Sequence, residues 1–149
     1  LSEHYSFTSL IMTYEVVLLL RKNNIKDKKI WSEIRANLKF FYKNKSTLSD
    51  IDLIYLYILL AITKNNNKYF LEAEKHAFRS FNFIWLREVY ANRVIYYLNI
   101  KDKKNSIEYF TKYLKLEKKF VNMLCEDYKN YYYNPFIKKT LDILEGGFN

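Results

Sequence analysis

Apolar residues recur along this chain at helical spacing. Leu10, Tyr14, Val17 and Leu18 follow an i, i+4, i+7, i+8 pattern that ends in the polar run Arg21-Lys22-Asn23-Asn24, which predicts a helix over about 7–22. Ile30, Ile34, Leu38 and Phe41 form a second stripe, with Lys39, Lys43 and Lys45 where a helix C-terminus favours positive charge, so a second helix is expected over about 28–43. Ser49 then reads as an N-cap, with Asp50 and Asp52 in the first turn that follows it. From Ile51 to Ile62 the sequence IDLIYLYILLAI is apolar all the way round, a pattern that a helix sustains only when neighbours cover every side. This helix should be central.

After Lys64-Asn65-Asn66-Asn67-Lys68, the positions Phe70, Ala73, Ala77, Phe78 and Phe81 make a fourth stripe, opposed by Glu72, Lys75 and Arg79 on a wet face. Asn82 caps a helix predicted over about 83–99, which carries Trp85, Val89, Tyr96 and Tyr97. Asn105 or Ser106 opens another with two apolar seams, Ile107, Phe110 and Leu114 on one and Tyr109, Tyr113, Leu116 and Phe120 on the other. The chain is expected to stay helical to about Tyr132, with a break near Lys118-Lys119. Asn134-Pro135 starts a last helix that stops at Gly146. The prediction is seven or eight helices in antiparallel pairs.

Composition narrows the function classes. The 149 residues contain only 2 Gly and 1 Pro, and none of these precedes Pro135. Phosphate-binding glycine loops, the dinucleotide fingerprint and the nucleophile elbow all need glycine where backbone approaches a ligand or takes positive φ. None of them is present, and tight β-hairpins lose their usual turn residues as well. With 50% hydrophobic and 19% aromatic residues the chain has material for a packed core. The net charge of +9 suits nucleic acid or an anionic surface, but Lys, Asn, Ile, Tyr and Phe are enriched together, as AT-rich coding also produces. The run Leu10 to Leu20, interrupted by Glu15, is too short to span a bilayer, so no transmembrane segment is expected. The start Leu1-Ser2-Glu3-His4 lacks an initiator Met and a leader pattern and reads as a piece of a longer chain.

Candidate chemistry is sparse. Cys125 is the one cysteine and reads as a packed thiol, and only His4 and His76 are available as imidazoles. No zinc-type spacing exists, so neither a metal nor a cofactor is expected. His76 lies four residues after Glu72, where a surface hydrogen-bonded pair is expected rather than a general base. Asp50/Asp52 and Glu126/Asp127 point to different helix sectors. No catalytic residue is assigned, and the chain is read as non-enzymatic.

The helices also repeat. NSIEYFTKYLKLEKK (105–119) aligns with EAEKHAFRSFNFIWL (72–86) at a spacing of 33 residues, close to the tetratricopeptide period of about 34. The segment 90–119 resembles a tetratricopeptide repeat, with Tyr90 and Tyr97 at the aromatic positions of helix A and Ser106, Phe110 and Tyr113 along helix B. The earlier unit supplies Tyr57, Leu60, Ala61, Ala73, Ala77, Ser80 and Phe81 as equivalents, while Arg93-Val94 stand where the family has Leu-Gly. The resemblance implies an all-α, right-handed array of antiparallel helical hairpins in one domain over 1–149, with hairpins at about 7–43, 49–82 and 83–118 and capping helices over 119–149.

It further implies a protein-interaction scaffold whose groove takes a peptide or helix of a partner protein. The inward positions would be Tyr55, Ile58, Leu59 and Ile62 in the earlier unit and Glu88, Ala91, Asn92, Ile95 and Asn99 in the later. Ile58, Leu59 and Ile62 stand where the family's clamp for acidic C-termini has Lys and Asn, so an apolar segment such as an amphipathic helix is the expected ligand. Two other readings stay open. A basic helical repeat with many tyrosines could bind single-stranded RNA, and Tyr131-Tyr132-Tyr133 with Phe136 could form the docking surface of an assembly domain.

Overall fold

The computed structural model describes residues 7–147, with side chains from Leu10 onward; His4 lies outside that range. It is all-α: eight α-helices and one short 3-10 turn are found among the described residues, and no strand. They are α1 (Phe7–Lys22), α2 (Lys28–Lys43), α3 (Asp50–Lys64), α4 (Lys68–Arg79), α5 (Phe83–Asn99), α6 (Lys103–Met123), α7 (Glu126–Lys129) and α8 (Pro135–Gly146), with the 3-10 turn at Lys45–Thr47. No described helix is long and apolar enough to cross a membrane. The chain divides into two compact units, residues 1–85 and 86–149, with the division inside α5.

In the first unit α3 packs against α1, α2 and α4. Every residue from Ile54 to Ala61 is buried, as an all-round apolar helix requires. Leu10, Tyr14, Val17 and Leu20 of α1, Ile34, Leu38 and Phe41 of α2, and Phe70, Ala73 and Ala77 of α4 are buried along with it. Ile30, expected inside, is exposed, because it sits in the first turn of α2. Ser49 caps α3 in a full capping box with Asp52, accepting from the Asp52 amide at 3.2 Å.

The second unit is built on α5 and α6. Val89, Tyr90, Val94 and Tyr97 of α5 and Ser106, Phe110 and Tyr113 of α6 are buried, Tyr90 and Tyr97 meet Tyr109 at 5.9 and 5.5 Å, and Phe136 of α8 closes on Phe110 and Tyr113 with ring centroids 6.3 and 4.9 Å away. The structure corrects several details of the α6 region. Asp102, not Asn105 or Ser106, caps α6, accepting from the Asn105 amide at 3.1 Å. The helix runs unbroken through Lys118-Lys119 and ends at Met123. Of its first expected seam only Phe110 is buried; Ile107 and Leu114 are exposed, since the core line is Ser106, Phe110, Tyr113 and Glu117.

Four helix ends share one solution to the missing glycine. Asn24, Asn65, Phe81 and Lys101 all adopt positive φ, between 50° and 59°. In each case the next residue's amide reaches back five positions, as in Asn66 to Ala61 at 3.1 Å and Asn82 to Ala77 at 2.9 Å. These are Schellman caps with side chains where glycine is usual. Asn tolerates this conformation, whereas for other L-residues it costs roughly 1–2 kcal/mol.

The 33-residue offset has a physical counterpart. Tyr57 stacks on His76 with centroids 5.7 Å apart, and Tyr90 meets Tyr109 at 5.9 Å, each position 33 residues on. Ser49 and Asn82 cap α3 and α5, and Ala73 and Ser106 are both fully buried.

Candidate interaction surfaces

The nine expected groove positions separate by burial. Tyr55 is enclosed between Tyr14 and Trp85, at 5.2 and 4.4 Å, and Ile58 and Leu59 are wholly inside the first unit's core. These three present no surface to a ligand, because α3 has neighbours on three sides; Ile62, in the same helix, is half-buried. Asn92 is also buried and donates from Nδ2 to the Glu88 carbonyl at 2.9 Å. Glu88, Ala91 and Ile95 are half-buried and Asn99 is exposed. Spaced i, i+3, i+7 and i+11, these four form one reachable line along α5.

The stripe assigned to α4 divides as well. Phe70, Ala73 and Ala77 are inside, but Phe78 is 59% exposed and Phe81 93%. Phe78 lies beside the buried line of α4, and at Phe81 the Schellman cap turns the chain and carries the side chain off the helical register. His76 does not pair with Glu72. Its Nδ1 lies 2.9 Å from Asp50 Oδ1, and Glu72 accepts from Lys75 instead at 3.2 Å.

The most elaborate polar arrangement went unmarked in the sequence. Glu117, on the core line of α6, is 4% exposed. Arg87 donates to its Oε1, while the Tyr132 hydroxyl, at 2.7 Å, and Asn134 Nδ2 donate to its Oε2. Asn134 also reaches the Tyr113 hydroxyl at 2.7 Å, and the Arg87 guanidinium lies 4.1 Å over the Phe120 ring. Burial acts to lower the Arg87 pKa, but the bonds to Tyr132 and Glu117 outweigh it and raise it above its ordinary value. Burial pushes Tyr113 up to about 12. A charged residue seven positions after Phe110 and four after Tyr113 was the available signal. A cleft of about 500 Å³ opens beside the node between α6 and α8, with Val121, Ile137 and Leu141 as apolar walls. Arg87, Tyr132 and Asn134 place donors on both carboxylate oxygens of Glu117, so the node ties α5, α6 and the segment before α8 together.

The tyrosine run is divided by the same node. Tyr132 is drawn inward to Glu117 and Phe120, and its neighbours Tyr131 and Tyr133 face solvent at 87% and 77% exposure. Phe136 is half-buried and packs on Phe110 and Tyr113. Cys125, expected to be packed, is exposed in the bend between α6 and α7. Among the described residues no group of three or more His, Cys, Asp or Glu side chains could hold a metal ion. Compared with family models, curated proteins and solved structures, the chain matches none.

Proposed function

We propose that the chain is a non-catalytic protein-interaction module, a tetratricopeptide-like right-handed array of helical hairpins whose α5 face receives a peptide or amphipathic helix of a partner protein. Two features support the repeat reading: the ring pairs and helix caps that recur 33 residues apart, and the packing of α3 on both preceding helices and on α4. The observation that carries the binding reading is the reachable line Glu88, Ala91, Ile95 and Asn99, which runs beside the buried Val89, Asn92, Arg93 and Val94 of the same helix. Its centre is apolar and its ends are polar, as suits a helix laid in a groove. A photoreactive phenylalanine placed at Ala91 or Ile95 in cells expressing the chain should crosslink to one polypeptide. Ile95→Glu should then abolish capture of that polypeptide while the far-UV spectrum stays helical. Crosslinks to RNA alone, or none, would remove the reading.

One observation favours a second reading, single-stranded RNA binding. Tyr131 and Tyr133 are presented as two solvent-facing rings in the short connection between α7 and α8, and exposed aromatic rings suit base stacking. Retention of single-stranded RNA that weakens steeply with salt and is lost in Tyr131→Ala/Tyr133→Ala would support it.

A further inference from the structure

The solvent face of α4 combines two properties found together nowhere else on that helix. Its five exposed side chains are Lys68, Leu71, Lys75, Phe78 and Arg79, three cations and two large apolar groups, with no acid among them. Glu72 lies half-buried at the flank and is engaged by Lys75. From Lys68 to Phe78 the line runs for about 15 Å, roughly three helical turns. At its end Phe81 holds a left-handed φ of 52° while 93% of its surface faces water. A bulky aromatic gains nothing locally from either condition; of the three equivalent turns two carry Asn, which meets the conformation without strain, and the third the unbranched Lys101. Phe81 is thus costly to the fold as it stands, and strain of this kind is retained where a ligand uses it.

We infer that this face of α4, with Phe81 as its anchor, docks an acidic amphipathic helix from another protein. Apolar side chains of that helix would cover Leu71, Phe78 and Phe81, and its flanking carboxylates would meet Lys68, Lys75 and Arg79. A second copy of the chain is the wrong occupant, because it would bring the three cations against their own kind. The α4 face shares no residue with the α5 line, so the two readings stand or fall independently.

The test uses the full chain and two synthetic helices of about 15 residues, identical in their leucine stripe but flanked by Glu in one and Lys in the other. Vesicles of phosphatidylserine and phosphatidylcholine serve as a third probe. The Glu helix should shift backbone amide resonances from Lys68 to Asn82, more weakly as salt rises, and the Lys helix should not. Phe81→Asn should cost at least about tenfold in affinity while the melting temperature stays equal or rises. Lys75→Glu/Arg79→Glu should transfer the preference to the Lys helix. Failure of the Glu helix to bind, equal binding of both helices, undiminished affinity in Phe81→Asn, or shifts on α4 from vesicles alone would each overturn the proposal, the last by assigning the face to a membrane surface.

Discussion

The two units solve the same packing problem with different materials. The first places Leu59 and Leu60 at the centre of α3; 33 residues later α5 buries Asn92 and Arg93. Across the second unit Glu117 and Thr140 are buried too, and Arg87 is nearly so. A hydrocarbon core is held by many small, non-directional contacts, so losing one leaves a cavity and the rest intact. A polar core is held by a few directional bonds, and removing one partner leaves others buried and unpaired. Helical hairpins of similar design can therefore rest on either kind of core, while their ways of failing differ.

The largest expected effect is at the ionic node. Glu117→Ala should destabilise the protein by about 3–5 kcal/mol, because Arg87 is left charged and buried. Urea unfolding followed by far-UV circular dichroism checks this. Both tryptophans, Trp31 and Trp85, lie in the first unit, so the fluorescence midpoint should move less than the dichroism midpoint. The double change Arg87→Met/Glu117→Leu should recover most of the loss, since a well-packed apolar pair replaces a desolvated ionic one. A single Glu117→Ala variant within about 1 kcal/mol of the parent would show the node to be dispensable.

Exchanging the materials sharpens the contrast. Leu59→Asn should cost about 3 kcal/mol, combining lost transfer energy with an amide that has no partner in the first unit's core. The reverse change, Asn92→Leu, should stay within about 1 kcal/mol, because the Asn92 Nδ2 bond to the Glu88 carbonyl lies within one helix and contributes about that much. Equal costs in the two directions, measured by the same urea unfolding, would mean that the second core depends on its polar groups as strongly as the first depends on its leucines.

A smaller effect separates the units by pH. Tyr113 ionises at about 12 when folded against about 10 when unfolded, so above pH 10 the unfolded chain loses a proton that the folded chain keeps. The stabilisation is complete below pH 10 and is lost as pH rises through 12, amounting to about 3 kcal/mol. Tyr132 is raised in the same direction, by burial and by its bond to Glu117. Tyr57 in the first unit is raised by burial but opposed by Lys45. Between pH 10 and 12 helicity should therefore weaken before tryptophan emission changes, and the opposite order would break the comparison.

Most of the helices are legible in the sequence because their signals are local. Periodicity places α1, α2, α5 and α8 close to their observed limits, Ser49 and Asn134 act as caps, and the uniformly apolar run of α3 is central. The surfaces are less legible. A helix apolar all round carries no mark of which side a ligand would approach, so Ile58 and Leu59 read as groove positions although both are core. Phe81 reads as core because continuing the 3.6-residue period through Ser80 ignores the left-handed turn at Phe81, and Phe78 because it directly follows Ala77, the last residue of the buried line Phe70, Ala73 and Ala77. The role of Glu117 depends on Arg87, Tyr132 and Asn134, at sequence distances of 30, 15 and 17 residues, which no periodicity connects.

The sequence by itself determined the helical class, the order and approximate limits of the helices and the absence of glycine-dependent sites. These follow from backbone preferences and side-chain spacing within a few residues. Only the tertiary structure decided which apolar side chains are covered, which carboxylate is tied down and which aromatic rings, Phe81 above all, are left in water. Burial and hydrogen bonding depend on neighbours that arrive from elsewhere in the chain, and their energies are set by what surrounds a residue rather than by what adjoins it.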